Sequence, residues 1–238
     1  MRSKVRAVFL DAGYTLLFPR LDALMRDLAD LGFSARAEDF EEAERVGKRK
    51  LDELLWPRIR DGQIPQTSSR LYWEPYFEAL MNRLGASSEA RPALIEKVAE
   101  TFRDIRTWST VLPETLPVLQ SLRSAGYFLA AISNSNGTVE GELRRAGFGE
   151  YLGFVIDSEI VGVEKPHPEI FRIALRRANV APEEALYVGD IYAVDVGGAQ
   201  LAGLGGILYD RVGAYPDADC PRVTSLSELS TLVEQRRL

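Results

Sequence analysis

The sequence predicts an α/β protein with a doubly wound parallel sheet and a small helical bundle inserted after the first strand. Two observations support this prediction. Short apolar runs alternate with helical patterns in residues 1–17 and 109–238, which is typical of parallel sheets with right-handed crossovers. Residues 18–108 show helical patterns instead, so we assign them to the bundle. At 238 residues the chain can hold one large domain or two smaller ones.

The first predicted strand is the apolar run over residues 5–10, whose branched and aromatic side chains are typical of a strand buried on both faces. It is followed at once by Asp11-Ala12-Gly13-Tyr14-Thr15. Ligands of open parallel sheets bind at the carboxyl ends of the strands. An aspartate at this place can simply cap a helix or form a turn. Because three further polar segments occur in the chain, we interpret Asp11 as a nucleophile.

Four apolar stripes at helical spacing predict the bundle. They cover residues 21–31, 40–55, 76–84 and 94–105. We expect the second stripe to end at Pro57 and the Asp61-Gly62 break, and Pro75 to lie in the first turn of the third helix. Ser87 or Ser88 is expected to open the fourth helix. A bundle inserted at this point would lie over the carboxyl end of the first strand.

Strands and helices alternate again after residue 113. Strands are predicted over residues 127–132, 154–156, 185–188 and 206–209. Helices are predicted over residues 116–122, 138–146 and 170–175. A last helix follows Ser225, which has the capping-box spacing with Glu228. This order predicts a Rossmann-like, doubly wound sheet.

Polar residues follow two of these later strands and one loop. Ser133-Asn134 follows the strand over residues 127–132, Asp190 and Asp195 follow the strand over residues 185–188, and Lys165 lies in a loop. Because the carboxyl ends of parallel strands share one edge, we expect these residues to meet Asp11. Three clustered carboxylates repel one another unless a cation is present, and oxygen ligands suit Mg²⁺.

The other polar groups suit phosphoryl transfer, which depends mainly on positioning and charge neutralisation. Lys165 adds a positive charge beside the nucleophile. The Ser133 hydroxyl and the Asn134 amide can donate hydrogen bonds to phosphoryl oxygens.

Four segments of the chain resemble the ordered motifs of the haloacid-dehalogenase superfamily. They are Asp11-Ala12-Gly13-Tyr14-Thr15, Ser133-Asn134, Lys165-Pro166, and Gly189-Asp190 with Asp195. The inserted bundle is similar to that superfamily's mobile helical cap. The resemblance implies a Mg²⁺-dependent hydrolase that acts on a small phosphorylated metabolite through an aspartyl-phosphate. It implies that Asp11, the Gly13 carbonyl, Asp190 and Asp195 hold the metal, and that Thr15, Ser133, Asn134 and Lys165 serve the phosphoryl group.

The chain departs from the usual phosphatase pattern at Gly13, where the family has a second aspartate as general acid and base. Such a group contributes roughly 10²- to 10⁴-fold to a rate. One interpretation is a phosphatase that takes its acid–base group from the cap, from Tyr14 or from water. Another resembles the phosphonoacetaldehyde hydrolases, which lack this aspartate and use a cap lysine to form a Schiff base. Lys48 and Lys50 are the candidates, although their charged surroundings favour a solvated helix face.

Two further hypotheses remain open. A 2-haloacid dehalogenase also needs only one aspartate in the first motif, but it works without a metal, so Asp190 and Asp195 argue against it. A binding or regulatory protein would keep the site with little or no turnover. The single histidine, His167, is interpreted as a surface loop residue. The aromatic residues in or beside the bundle are interpreted mainly as packing residues, with one or two of them as alternatives for lining the substrate cleft. They are Trp56, Tyr72, Trp73, Tyr76 and Trp108.

The composition of the chain limits the kinds of partner and the cellular location that we expect. The formal net charge of −6 argues against a nucleic-acid surface. The apolar run that begins at residue 5 is too short for a signal peptide or a membrane span. A single cysteine, Cys220, fits a reducing compartment. We therefore expect a cytoplasmic monomer or homodimer without a nucleic-acid or membrane partner.

Overall fold

A computed structural model describes residues 4–235 of the chain as an α/β protein. The strands of this part are β1 Ala7–Leu10, β2 Phe18–Pro19, β3 Trp108–Thr110, β4 Phe128–Ser133, β5 Val155–Asp157, β6 Ala185–Gly189, β7 Gly205–Tyr209 and β8 Arg222–Val223. Within residues 4–235, six of them form one parallel sheet in the order β5-β4-β1-β6-β7-β8. The predicted doubly wound α/β fold is confirmed.

The helices lie on both faces of the sheet and in the segment between β2 and β3. They are α1 Leu21–Asp30, α2 Ala37–Arg60, α3 Arg70–Arg83, α4 Arg91–Arg103, α5 Thr115–Ser124, α6 Val139–Arg145, α7 Ser158–Val161, α8 Pro168–Ala178, α9 Gly198–Leu201 and α10 Leu229–Gln235. The short helix α7 and strand β8 have no counterpart among the sequence predictions, because each is too short to show a periodic pattern. The capping box at Ser225 and Glu228 is present and precedes α10.

The central strand β1 explains why the sheet needs helices on both faces. All four of its residues are buried, and successive side chains point to opposite faces. Val8 and Leu10 pack in the hydrophobic cluster on one face, whereas Ala7 and Phe9 pack in the cluster on the other. A strand that is apolar at every position is therefore stable only between two helical layers.

Helices α1 to α4 have a hydrophobic cluster of their own. Helices α2 and α3 approach closely at Gly47, where an added Cβ would lie 2.8 Å from the Tyr76 ring. The cluster also takes in Ala193 and Val194, which follow β6 of the sheet. The bundle is thus packed onto the loop at the carboxyl end of β6. The division into a core of residues 1–17 and 109–238 and a bundle of residues 18–108 stays a prediction, and residues 1–3 and 236–238 lie outside the described part.

Helix α2 continues through Pro57 and ends at Arg60, so the predicted break at Asp61-Gly62 is confirmed. Two predicted helix starts in the bundle were wrong. Helix α3 begins at Arg70 because the Ser69 side chain accepts a hydrogen bond from the Leu71 amide, so Pro75 lies inside the helix and not in its first turn. Helix α4 begins at Arg91, although Ser87 accepts a hydrogen bond from the Ala90 amide just before it. Local capping and tertiary packing override the average preference of proline for a helix start.

The connections between the sheet and the bundle pair as a short antiparallel ribbon of β2 and β3. Strands of two or three residues carry too little pattern to be predicted from sequence. Among the described residues, no helix has both the length and the apolar composition that crossing a membrane requires.

Candidate active site

The site lies where three neighbouring strands of the sheet end. Asp11 follows β1, Ser133 is the last residue of β4, and Asp190 follows β6. Because β4 and β6 both pair with β1 in parallel, these chain ends lie side by side. The sequence prediction that they share one edge of the sheet is confirmed.

Three buried carboxylates converge at this edge. One oxygen each of Asp11, Asp190 and Asp195 lies within 4.8 Å of the others. Asp195 sits in a π-helical segment, Tyr192–Gly197, and accepts a hydrogen bond from the Ile191 amide at 2.9 Å. Its carboxyl carbon would be only 2.4 Å from a Cβ at Gly189, so only glycine fits beside it. The Gly189-Asp190 pair thus supplies both the space for one carboxylate and the second carboxylate itself.

Lys165 bridges two of these carboxylates. Its Nζ donates to Asp11 Oδ1 at 2.6 Å and to Asp195 Oδ1 at 2.7 Å. It also donates at 2.8 Å to the hydroxyl of Tyr187, a residue that the sequence prediction did not include. Tyr187 is fully buried in β6, where nothing in the strand pattern distinguishes it from a packing residue.

Burial dominates the electrostatics of the site. It raises the pKa of Asp11 from 3.8 to about 7, although the nearby Lys165 acts in the opposite direction. Burial opposes the charge of Lys165 as well, but the attraction of Asp11 and Asp195 outweighs it and raises the pKa of the ammonium group. The lysine therefore stays charged and holds Asp11 in place.

Asn134 positions Lys165 instead of pointing its amide at the reaction centre. Its Nδ2 donates to the Lys165 carbonyl at 2.9 Å and to Thr67 Oγ1 at 3.0 Å, while its Oδ1 accepts from the Lys165 amide at 2.7 Å. Both hydrogens of the side-chain amide are thus used. The prediction that this amide donates to phosphoryl oxygens was wrong in this state, because the loop of Lys165 occupies it. Thr67, a residue of the bundle, also donates a hydrogen bond from its hydroxyl to the Lys165 carbonyl.

Lys48 belongs to the site, against the expectation of a solvated helix face. It is buried, and its Nζ lies 2.8 Å from Asp190 Oδ2. Glu44, one turn earlier on the same face of α2, is also buried and accepts a hydrogen bond from the Tyr76 hydroxyl at 2.6 Å. Two charged residues four apart on an otherwise apolar stripe were the available signal. Lys50, by contrast, is half-buried and pairs with Glu53.

Burial also raises the pKa of Glu44 from 4.5 to about 7, with Lys48 opposing it. The pKa of Lys48 is raised, since the attraction of Asp190 and Glu44 exceeds the effect of its burial. Lys48 is therefore an ammonium group that faces the carboxylate cluster from the bundle.

The remaining predicted residues lie at different depths. Ser133 is buried and lines the cavity above the carboxylates, as does Gly13. Thr15 is fully buried and is not among the residues lining that cavity, and its hydroxyl has no hydrogen-bond partner in the described part of the chain. A role of Thr15 at the phosphoryl group stays a prediction.

A cavity of about 540 Å³ lies between the carboxylate cluster and the bundle. Trp73, Tyr76 and Trp108 line it, so these aromatic residues do more than pack the bundle. Trp56 instead packs on Tyr192, with ring centroids 4.9 Å apart. His167 is exposed, as expected, and its Nδ1 accepts a hydrogen bond from the Glu169 amide at the start of α8.

The donor set fits Mg²⁺. Carboxylate oxygens are the ligands that this ion prefers, and buried acids crowded within 4.8 Å repel one another without added positive charge. The three carboxylates face two ammonium groups, Lys48 and Lys165, which leaves one negative charge uncompensated. A divalent cation would make the site positive enough to attract a phosphate dianion.

The fold and the carboxylate cluster together define a Rossmann-like α/β protein with a buried acidic site beneath a helical bundle. A family model described as haloacid dehalogenase-like hydrolase matches residues 5–203. The chain therefore belongs to the haloacid dehalogenase-like hydrolases.

Three of the relatives have names from two reaction classes. Phosphoserine phosphatase of Thermus thermophilus is 32% identical over 90% of this chain and 91% of its own length. Glyceraldehyde 3-phosphate phosphatase of Methanopyrus kandleri is 36% identical over 60% of this chain, which spans 61% of that relative. (S)-2-haloacid dehalogenase 4A of Burkholderia cepacia is 28% identical over 98% of this chain and 96% of its own length.

A solved structure supports the fold. The putative hydrolase YfnB of Bacillus subtilis, bound to magnesium, superimposes with a TM-score of 0.62 at 20% identity. The match covers 97% of this chain and 99% of that one.

Proposed function

We propose that this hydrolase is a Mg²⁺-dependent phosphatase that acts on a small phosphorylated metabolite through an aspartyl-phosphate on Asp11. The observation that carries the proposal is the buried cluster of Asp11, Asp190 and Asp195 with Lys165 across it. When bound, the metal would shield the negative charges of nucleophile and phosphate from each other. Asp11, Asp190, Asp195 and the Gly13 carbonyl would hold it.

The chain's own groups divide the remaining work. Lys165 orients Asp11 and adds positive charge where the phosphoryl oxygens gather. Ser133 lines the cavity beside them and offers a hydroxyl donor. Asn134 and Thr67 hold the lysine loop and so act as positioning residues. The names of the two phosphatase relatives agree with this assignment.

The test measures hydrolysis of 4-nitrophenyl phosphate with Mg²⁺ and with EDTA. We expect metal-dependent release of phosphate, and none from Asp11→Asn, whose fold should be intact because the substitution keeps size and polarity. Trapping of the phosphorylated protein should succeed in the wild type and fail in this variant. Release that is unaffected by EDTA would refute the metal assignment.

The dehalogenase hypothesis is the second candidate, because one relative with that name aligns with nearly the whole chain. It leaves the acidic pair Asp190 and Asp195 without a function, since that reaction needs no metal. Chloride release from 2-chloropropionate, indifferent to EDTA, would select it.

A Schiff-base mechanism would use Lys48, which does face the cavity. Attack on a carbonyl requires a neutral amine. The ion pair with Asp190 at 2.8 Å instead favours the ammonium form. We therefore assign Lys48 an electrostatic role. Borohydride trapping of a Lys48 adduct with phosphonoacetaldehyde would overturn this assignment.

If the protein hydrolyses neither phosphate esters nor chlorinated acids, the result would favour a binding or regulatory function. We further propose a cytoplasmic location, based on the single cysteine Cys220. The oligomeric state, monomer or homodimer, also stays a prediction.

A further inference from the structure

We infer that the substrate is an aryl phosphate, a monoester whose leaving group is an aromatic alcohol. The inference rests on the proposed phosphatase function and goes further by naming the substrate class. Three features of the cavity support it independently. They are the aromatic side chains of one wall, the Trp108 ring next to Gly13, and the acidic partners of the basic side chains.

One wall of the cavity is a chain of five aromatic rings that begins beside Gly13. Centroid distances are 5.1 Å between Tyr14 and Trp108, 5.3 Å between Trp108 and Phe102, and 5.6 Å between Phe102 and Phe77. Trp73 extends the chain at 6.1 Å from Phe77. All five rings line the cavity. Its volume of about 540 Å³ is in the range of sites for drug-sized ligands and exceeds what phosphate alone requires. Such a wall suits a flat apolar group by stacking and edge-to-face contacts.

The position of the usual general acid is filled by an indole ring. A Cβ built on Gly13 would lie 3.1 Å from Trp108 Cζ3. The chain therefore offers an apolar surface where other phosphatases of the family protonate the leaving oxygen. A leaving group that needs no proton matches this surface. A phenol such as the tyrosine side chain ionises near pH 10, whereas water, a guide to alkyl alcohols, ionises only at far higher pH.

The basic side chains of the cavity already have acidic partners. Among the described residues that line it, each basic side chain has an acidic partner: Lys48 with Asp190, Lys165 with Asp11 and Asp195, Arg70 with Glu74, and Arg103 with Glu96. Glu164 is a further acid on the lining, and its Oε1 accepts a hydrogen bond from the Ser68 amide. A second anionic group on the substrate, not balanced by an ammonium group, would meet three acids and two bases beyond the phosphate subsite.

The reaction needs no acidic group of the protein to protonate the leaving oxygen. A carboxylate oxygen of Asp11 forms a bond to phosphorus, and the bond from phosphorus to the aryl oxygen breaks. The aryl oxygen departs as a phenolate and takes a proton from solvent. Water then attacks the aspartyl-phosphate, which releases inorganic phosphate and restores the Asp11 carboxylate.

The test compares kcat/KM for phenyl phosphate, benzyl phosphate and O-phosphoserine in the presence of Mg²⁺. Benzyl phosphate keeps the ring but has an alkyl leaving oxygen, so it separates ring recognition from leaving-group chemistry. We expect phenyl phosphate to exceed benzyl phosphate by about 100-fold or more, which is the lower part of the range for a missing general acid. We expect O-phosphoserine to be the poorest substrate of the three.

A pair of variants on α3 tests the wall itself. Trp73→Ala should raise KM for phenyl phosphate by roughly tenfold, the value of one lost aromatic contact. Inhibition by inorganic phosphate should be unchanged, which also shows that the variant is folded. Leu71→Ala is the matched control, because Leu71 is 62% exposed and does not line the cavity. It should leave both constants unchanged.

The outcomes separate the two proposals. Equal or higher kcat/KM for benzyl phosphate or O-phosphoserine would overturn the aryl phosphate inference and leave the phosphatase function intact. An unchanged KM for phenyl phosphate in Trp73→Ala would do the same. Absence of hydrolysis of every phosphate ester with Mg²⁺ would refute the phosphatase function itself.

Discussion

Substituting Lys48 by Met gives the sharpest measure of the electrostatics of the site. Methionine has a similar length but no charge, so the change removes the partner of Asp190 while filling most of its space. The two side chains are 5% and 4% exposed, and their charged atoms lie 2.8 Å apart. Removing one partner of such a buried pair costs roughly 3–5 kcal/mol, because it leaves an unpaired charge.

For a chain of this size each kcal/mol lowers Tm by roughly 2–4 °C, so we expect Lys48→Met to melt roughly 6–20 °C below the wild type at pH 8 in EDTA. Lys50→Met is the matched control on the same helix. Its side chain is 44% exposed and pairs with an exposed Glu53, so its Tm should be nearly unchanged.

Added Mg²⁺ should raise the Tm of Lys48→Met more than that of the wild type, since the ion would then neutralise Asp190 in place of the lysine. Calorimetry with and without Mg²⁺ measures both effects without any assay of turnover. The prediction fails if Lys48→Met and the wild type have the same Tm in EDTA, or if Lys50→Met lowers the Tm as much as Lys48→Met does. Either result would show that the buried ion pair does not stabilise the fold as its geometry indicates.

Three further predictions concern residues around the nucleophile. The pKa of Glu44 is raised to about 7, so the folded chain binds its proton more tightly than the unfolded chain, and stability is lost as pH rises from about 4.5 through 7. Glu44→Gln should therefore exceed the wild type by up to roughly 3 kcal/mol at pH 8 and match it near pH 4, as urea unfolding can measure; a difference independent of pH would contradict this. Gly13→Asp places a Cβ 3.1 Å from Trp108, so it should lose roughly 1–3 kcal/mol of stability and gain little activity, whereas adding Trp108→Leu should raise turnover of alkyl phosphates; equal gains in both variants would refute the steric argument. With no carboxylate at position 13 to deprotonate water, hydrolysis of the Asp11 phosphate should be slower than its formation, and stopped flow should show a burst of one 4-nitrophenolate per chain; linear release from the first turnover would exclude that order of rates.

Much of the fold could be predicted from the pattern of apolar and polar residues in the sequence. Residues 7–10 are apolar at every position, and such a strand is stable only when helices cover both of its faces. Strand ends that carry Asp11, Ser133 and Asp190 then have to meet at one edge, since parallel strands end on the same side of a sheet. For this reason the carboxylate cluster was predictable from residue types and order.

The tertiary structure decided what surrounds that cluster. Lys48 lies among charged neighbours in sequence, and only the packing of α2 over the end of β6 turns it toward Asp190. Asn134 has the same amide whether it binds phosphate or holds Lys165, and the approach of the Lys165 loop and Thr67 determines which. The indole of Trp108 reaches Gly13 across 95 residues of chain, a contact that no local pattern records. Local sequence determines which groups can react. The packing of helices and strands in three dimensions brings remote segments together, and it therefore determines the partners of those groups, their charge and the shape of the cavity.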